Sequence, residues 1–224
     1  FRDRTLEPAI NSLGRVAIGL ADSFNDQHRE GMDLLNTLGE DFFTFNQPQV
    51  ITRAGNTGTA TVTATLTDVS GLTTENYDLV FNAGTWTITS TSGSTGTLTP
   101  PTDSFEGLTF DIAGAPANGD RFTIKPTEAG SGSIGIAITD PNRIAAAAPI
   151  RTEASLNNLG DVSISQGIVT DVTNVNLLDT VTFNFTSATT FTASADVVVG
   201  GVNIPAGNPI AYSNNMNIDA NGWQ

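Results

Sequence analysis

The sequence predicts a mainly β protein with one long N-terminal α-helix, its strands gathered into two sandwich- or barrel-like units of which the second reads as truncated. Three observations carry that reading. Apolar residues recur at alternating steps of four and three near the N-terminus, the composition shifts abruptly near residue 45, and from there short alternating runs are separated by turn residues. The division this suggests is a helix over residues 1–45, a first β-domain over 46–155 with a short helix near 140–148, and a second β-unit over 156–224.

The helical pattern runs from Arg2 to about Asn36, and Leu6, Ile10, Leu13, Ala17, Leu20 and Phe24 form its heptad-like apolar stripe. Thr5 and Glu7 favour a helix start, Pro8 is tolerated in a first turn, and Leu35 and Leu38 allow the helix to extend. Such a helix would be about 45 Å long at 1.5 Å per residue. A lone helix cannot bury its own stripe, and helices in proteins are stabilised mainly by packing such a face. No second long heptad segment follows, so the partners are expected in other parts of a longer protein or in another copy of the chain. These six residues are the candidate partner interface.

After Phe42 and Phe43 the chain becomes rich in Thr, Ser, Gly, Asn and Val. "TATVTATLT" (59–67), "YDLVF" (77–81) and "TWTITS" (85–90) read as strands, with "NAG" (82–84) as a hairpin turn between the last two. "LTFDIAG", "DRFTIKP", "SIGIAIT", "DVSIS", "VTFNF", "TFTAS" and "ADVVV" read as further strands. "LVFNAGTWTITS" and "FNFTSATTFTAS" look alike, and suggest that the second unit is a degenerate repeat cut off before its last strands. "DPNRIAAAA" (140–148) offers an Asp cap, a first-turn proline and an alanine run, which predicts the short second helix.

Composition excludes several classes of function. The net charge of −14, from 23 acidic against 9 basic residues, repels phosphate backbones and anionic membranes, so nucleic acid and lipid are poor partners. The absence of cysteine excludes disulfides, thiolate metal sites and thiol nucleophiles. No run approaches 18 consecutive apolar residues, and the N-terminus lacks the layout of a secretory signal. The chain opens on Phe1 rather than methionine, which points to a segment of something longer.

Motifs that suggest chemistry lack the context that chemistry needs. "GSGSIG" (130–135) has the spacing of a dinucleotide-binding loop, but the residues after Gly130 read as strand, so no helix would open at the third glycine. His28 is the sole histidine, and is read as a solvated position on the polar side of the helix. Asp103, Asp111, Asp120, Asp161, Asp171 and Asp179 flank strands, where aspartate caps turns. "NIDANG" (217–222) echoes half of a calcium loop and defaults to an Asn/Gly turn. Trp86 alternates with threonines as a core strand residue does, and Trp223 is weighed with it as a sugar platform and set aside. We therefore expect no catalytic residue, metal or cofactor.

The N-terminal stretch carries Arg2-Asp3, Leu6 with Pro8-Ala9, Leu13-Gly14-Arg15, Ala21-Asp22, Phe24-Asn25, Gln27-His28, Gly31, Asp33-Leu34 and Asp41-Phe42-Phe43. In these residues it resembles the flagellar hook-associated protein 1 family. "GDRFTIKPT" (119–127) and "IAITDPNRIAAAAPI" (136–150) are similar to the family's outer β-domain. The resemblance implies a non-enzymatic adaptor between hook and filament, exported through the flagellar type III secretion channel to the cell exterior. It further implies partners among other copies of itself, the hook protein, the next junction protein and an export chaperone. The alternative is a secreted adhesin or carbohydrate-binding β-protein, which would share the composition after residue 45 but leaves the heptad helix unexplained.

Overall fold

The computed structural model describes residues 5–224 and is mainly β with a single long helix, α1 (Glu7–Arg29). The start of the expected helix at Arg2 lies outside the described residues. Its expected continuation to Asn36 is corrected: the helix stops at Arg29, about 35 Å of rise at 1.5 Å per residue. Hydrogen bonds outside the helix stop it. Met32 N–H donates to the distant Ala147 carbonyl (2.7 Å), and Asp33 N–H to the carbonyl of Thr37 four residues further on (2.9 Å).

The chain forms two compact units, one of residues up to Asp26 together with Asp41–Thr139, the other of Gln27–Glu40 together with Asp140–Gln224. They interleave along the sequence.

The first unit holds a five-stranded antiparallel sheet, in the order β2 (Gln49–Thr52), β9 (Arg121–Lys125), β4 (Tyr77–Asn82), β5 (Thr85–Ser90) and β6 (Thr95–Leu98). A three-stranded sheet of β3 (Thr61–Leu66), β8 (Leu108–Ala113) and β7 (Thr102–Phe105) shares its core. Alternation works as expected: Trp86 and Ile88 of β5 are buried between exposed or half-buried threonines, and Val62 and Ala64 of β3 between exposed ones. Leu79, Phe110, Phe122 and Ile124 complete the interior, and Ile18 of α1 enters the same core. A short ladder of β1 (Phe43–Thr44) on β10 (Gly135–Ile136) completes the unit.

The "NAG" hairpin is present, with Asn82 opposite Thr85 and the two residues between them, Ala83 and Gly84, at φ of 49° and 83°. Glu106-Gly107 closes β7 onto β8 in the same way, as does Asn221-Gly222 between Ala220 and Trp223. Positive φ at both central positions gives a turn whose twist matches that of the strands, with glycine taking the second place each time.

The second unit packs two three-stranded sheets. One orders β11 (Phe183–Ser187), β12 (Thr190–Ala193) and β15 (Ile210–Ala211); the other orders β14 (Val202–Ile204), β13 (Val197–Val199) and β16 (Asp219–Ala220). Phe191, Val197, Ile210, Leu177 and Trp223 form its core. The hairpin likened to β4–β5 is the β11–β12 pair, which differs by a bulge between Phe185 and Ser187.

Three further expectations are corrected. Residues 140–148 form no second helix: a 3-10 turn at Pro141–Arg143, capped by Asp140, gives way to extended backbone at Ile144. The alanine run loses to tertiary pairing, since Ala147 bridges Met32 and Ala145 N–H is bound by a histidine. In "SIGIAIT" only Gly135–Ile136 is strand, while Gly130–Ser133 makes one helical turn. "DVSIS" forms no strand at all.

Candidate assembly interface

Helix α1 presents two stripes of the same rhythm, one residue apart. Asn11, Gly14, Ile18, Ala21, Asn25 and His28 are buried, while Leu13 (60% exposed), Leu20 (62%) and Phe24 (44%) stand open beside them. One residue on a helix is about 100° of rotation, so the two stripes look in different directions. Of the expected interface residues Leu6 is also exposed, and Ile10 and Ala17 are half-buried along the border.

The buried stripe is built for close approach and for hydrogen bonding rather than for hydrophobicity. A Cβ at Gly14 would lie 1.8 Å from the Thr127 carbonyl oxygen, and one at Gly130 would lie 2.6 Å from that of Gly14. The first glycine of "GSGSIG" therefore lets a backbone approach the helix, and the third lies in β10. Asn11 Nδ2 donates to the Thr74 carbonyl (3.0 Å) and to Asn76 Oδ1 (3.1 Å). Asn25 Oδ1 accepts from the N–H groups of Phe42 (2.9 Å) and Phe43 (2.8 Å), and its Nδ2 donates back to the Phe43 carbonyl (2.9 Å).

That clamp sets the position of β1 and brings three rings together. Phe24 lies 5.0 Å from Phe42 and 5.2 Å from Phe43, centroid to centroid, in tilted and edge-on contacts. The exposed stripe thus continues off the helix onto Phe42, Phe43 and the exposed Ile136 opposite Phe43. The sequence stripe also omits Val16, 67% exposed. Periodicity on one helix could not supply Phe42, Phe43 or Ile136, because their placement depends on the Asn25 clamp.

The reading of His28 as a solvated position is corrected: it is 5% exposed. Its Nδ1 lies 2.6 Å from the Glu40 carbonyl, which can only accept, and its Nε2 lies 2.9 Å from Ala145 N–H, which can only donate. The partners therefore fix one tautomer, protonated at Nδ1 and bare at Nε2. Beyond it, Asp33 Oδ1 accepts from Leu35 and Thr37 N–H, and Oδ2 from the Thr37 hydroxyl. These bonds, the Thr37 amide foremost, hold the Asp33 carboxyl below the usual carboxylate range.

At the other end of α1, Lys125 Nζ lies 3.1 Å from Glu7 Oε1 and 2.6 Å from Glu128 Oε2, which ties the first helical turn to β9. The Glu128 carboxylate first, then that of Glu7, raises the Lys125 ammonium above its ordinary range. Both tryptophans are buried, Trp86 at 2% and Trp223 at 8%, so neither offers a face to a sugar. The calcium-like "NIDANG" closes a tight turn, with Ala220 and Trp223 exchanging backbone bonds. Among the described residues no group of three or more acidic or histidine side chains could hold a metal ion, and no helix is long and apolar enough to cross a membrane.

Family models match two parts of the chain: a helical domain of the flagellar hook-associated protein FlgK over residues 1–43, and a D2-like domain of flagellar hook-associated protein 1 over residues 51–126. Flagellar hook-associated protein 1 of Escherichia coli is 36% identical over 151 residues, covering 66% of this chain and 28% of the relative. The Salmonella typhimurium protein of the same name is 29% identical over 197 residues, covering 84% and 35%. The chain thus spans about a third of the length of these relatives. The solved structure of the flagellar hook junction protein FlgK from Burkholderia pseudomallei superposes with a TM-score of 0.85 at 29% identity, over 99% of this chain and 44% of that one. Several residues of the N-terminal resemblance have structural tasks, with Gly14 at a close approach, Asn25 and His28 holding backbone and Asp33 holding a loop. On these grounds the chain belongs to the flagellar hook-associated protein 1 family.

Proposed function

We propose that the protein to which this chain belongs is a structural adaptor at the hook–filament junction of the bacterial flagellum, and that it works by packing rather than by catalysis. Family membership supports the reading, and one observation carries it. The stripe Leu6, Ile10, Leu13, Ala17, Leu20 and Phe24 stays open or half-open while the neighbouring stripe of the same helix is buried. An apolar face of this size is unfavourable in water and is expected to be covered in the assembly.

In this reading residues 1–45 belong to an inner helical bundle, and residues 46–155 and 156–224 lie outward as β-domains. Cover for the stripe comes from helices elsewhere in the parent chain and from neighbouring copies, the hook protein and the next junction protein. The parent travels by flagellar type III export, with a chaperone for its full-length form, and ends outside the cell. The test is Leu13→Asp and Leu20→Asp in the full-length parent, scored for filament attachment and motility. Shed filaments, with the protein still exported and folded, are the expected result; wild-type attachment with both variants overturns the interface.

A further inference from the structure

The second unit contains a strand-like segment whose backbone has no hydrogen-bonded neighbour among the described residues. In Asp161–Ser165 the apolar Val162 and Ile164 alternate with polar residues, and both are exposed, at 37% and 45%. Among the described residues, no backbone hydrogen bond engages these five. Immediately after them the chain does find a partner, and that partner is its own last residues. Ile168 and Gln224 exchange both backbone bonds (2.8 and 2.9 Å), Val169 bridges Trp223, and Thr170 N–H donates to the Gly222 carbonyl (2.8 Å).

The pairing is antiparallel, so its register points somewhere definite. Moving back from Ile168 toward Asp161 corresponds to moving forward from Gln224 into whatever follows it. Four residues back, Ile164 faces the fourth residue beyond Gln224; six back, Val162 faces the sixth. Because Ile168–Gln224 is a hydrogen-bonded pair, the pairs at Gln166, Ile164 and Val162 are hydrogen-bonded as well, and those at Ser165 and Ser163 are not. Opposed residues share a face, so the second, fourth and sixth residues of that continuation lie beside the Val162–Ile164–Ile168 row.

We infer that the residues directly following Gln224 in the parent protein continue this ladder along Ser165–Asp161 and cover Val162 and Ile164, so that the segment is one half of a hairpin-like pair completed by the chain itself. The inference draws on family membership only for the length of the parent, since relatives of this chain are about three times as long. It is independent of the junction function. The alternation explains why the segment reads as a strand, and the register explains why it has no partner within residues 5–224.

Two measurements on the full-length parent test it. The first pairs Ser165→Cys with a cysteine at the third residue beyond Gln224, a non-hydrogen-bonded position where opposed Cα atoms are about 4.5 Å apart and side chains meet. This chain contributes no other cysteine. A crosslink within single molecules, unaffected by dilution and at least about tenfold reduced when the second cysteine is moved one residue along, is expected, because a one-residue slip turns the side chain to the other face. A crosslink only between molecules assigns the segment to a second copy and overturns the proposal, as does none at all in a folded variant. The second needs no substitution. Amide exchange in the native sequence should alternate, with Val162, Ile164 and Gln166 slowed by about 100-fold or more relative to Ser163 and Ser165; equal rates at all five overturn the pairing.

Discussion

Asn25 and His28 stand one turn apart near the end of α1, and each holds backbone rather than a ligand. Asn25→Ala removes the side-chain oxygen that accepts from the Phe42 and Phe43 amides, at about 1–3 kcal/mol for each such bond lost. A lowered melting temperature with loss of the Phe24–Phe42–Phe43 cluster is expected, and thermal denaturation of the variant checks it. No change in Tm would mean that solvent replaces the clamp. His28→Ala removes a donor for the Glu40 carbonyl and an acceptor for the Ala145 amide, and should destabilise to a similar extent. Gly14→Val is a steric test of a different kind. Its Cβ would fall on the Thr127 carbonyl, so the helix must shift off the unit, and overpacking of this sort costs about 1–3 kcal/mol or more.

On the scale of the element, α1 separates two tasks that substitution can tell apart. Leu13→Asp and Leu20→Asp alter exposed positions, so folding stability should change by no more than about 0.5 kcal/mol, while attachment of filaments fails in the parent. Ile18→Asp reverses the pattern. It places a charge in the core shared with Trp86 and Phe110, and should unfold the first unit, as read by the emission of Trp86. If Leu13→Asp destabilised the chain as strongly as Ile18→Asp, the two stripes would not be doing separate work. The same division warns against removing residues 46–224 to isolate the helix, because Asn11 would lose its partners Thr74 and Asn76 and Ile18 its core along with the β-domain.

For the whole molecule, turn aspartates set the response to acid. Asp120 takes hydrogen bonds from the amides of Ala117, Thr57 and Gly58, Asp103 from Thr99 and Ser104, Asp171 from Thr173 and Asp68 from Ser70 and Gly71. Together with Asp33 they lie below the usual carboxylate range. A carboxyl group whose pKa is depressed on folding stabilises the fold above its unfolded pKa, and that contribution is lost as pH falls through the folded one. Stability should therefore be flat near neutrality and decline below about pH 4, where unfolded aspartates titrate. Asp120→Asn should lower stability at pH 7 and make the acid limb shallower, measured by urea denaturation across pH; an unchanged limb would put the acid sensitivity elsewhere. Lys125, raised by Glu128 and Glu7, has the opposite sign, with stability lost as pH rises above about 10.5.

Local rules determined much of this protein. Period-two alternation placed Val62, Trp86 and Ile88 in a core, the Asn-Ala-Gly turn closed a hairpin, and the family signature lay in the helix and the loop after it. The sequence also marked Leu6 to Phe24 as a stripe in want of cover, since hydrophobicity at heptad spacing can be read without knowing what lies opposite. Only the tertiary structure decided that the neighbouring stripe of small and polar residues, Asn11 to His28, is the one the chain packs against itself. Gly14, Asn25 and His28 carry no hydrophobic signal; their value is a close approach or a hydrogen bond to residues 12 to 117 positions away, and no local pattern contains that distance. The same long-range bonds ended α1 at Arg29 and drew residues 144–147 out of a helix, because a backbone group pairs with the partner the fold brings to it, and propensity decides only where no such partner arrives.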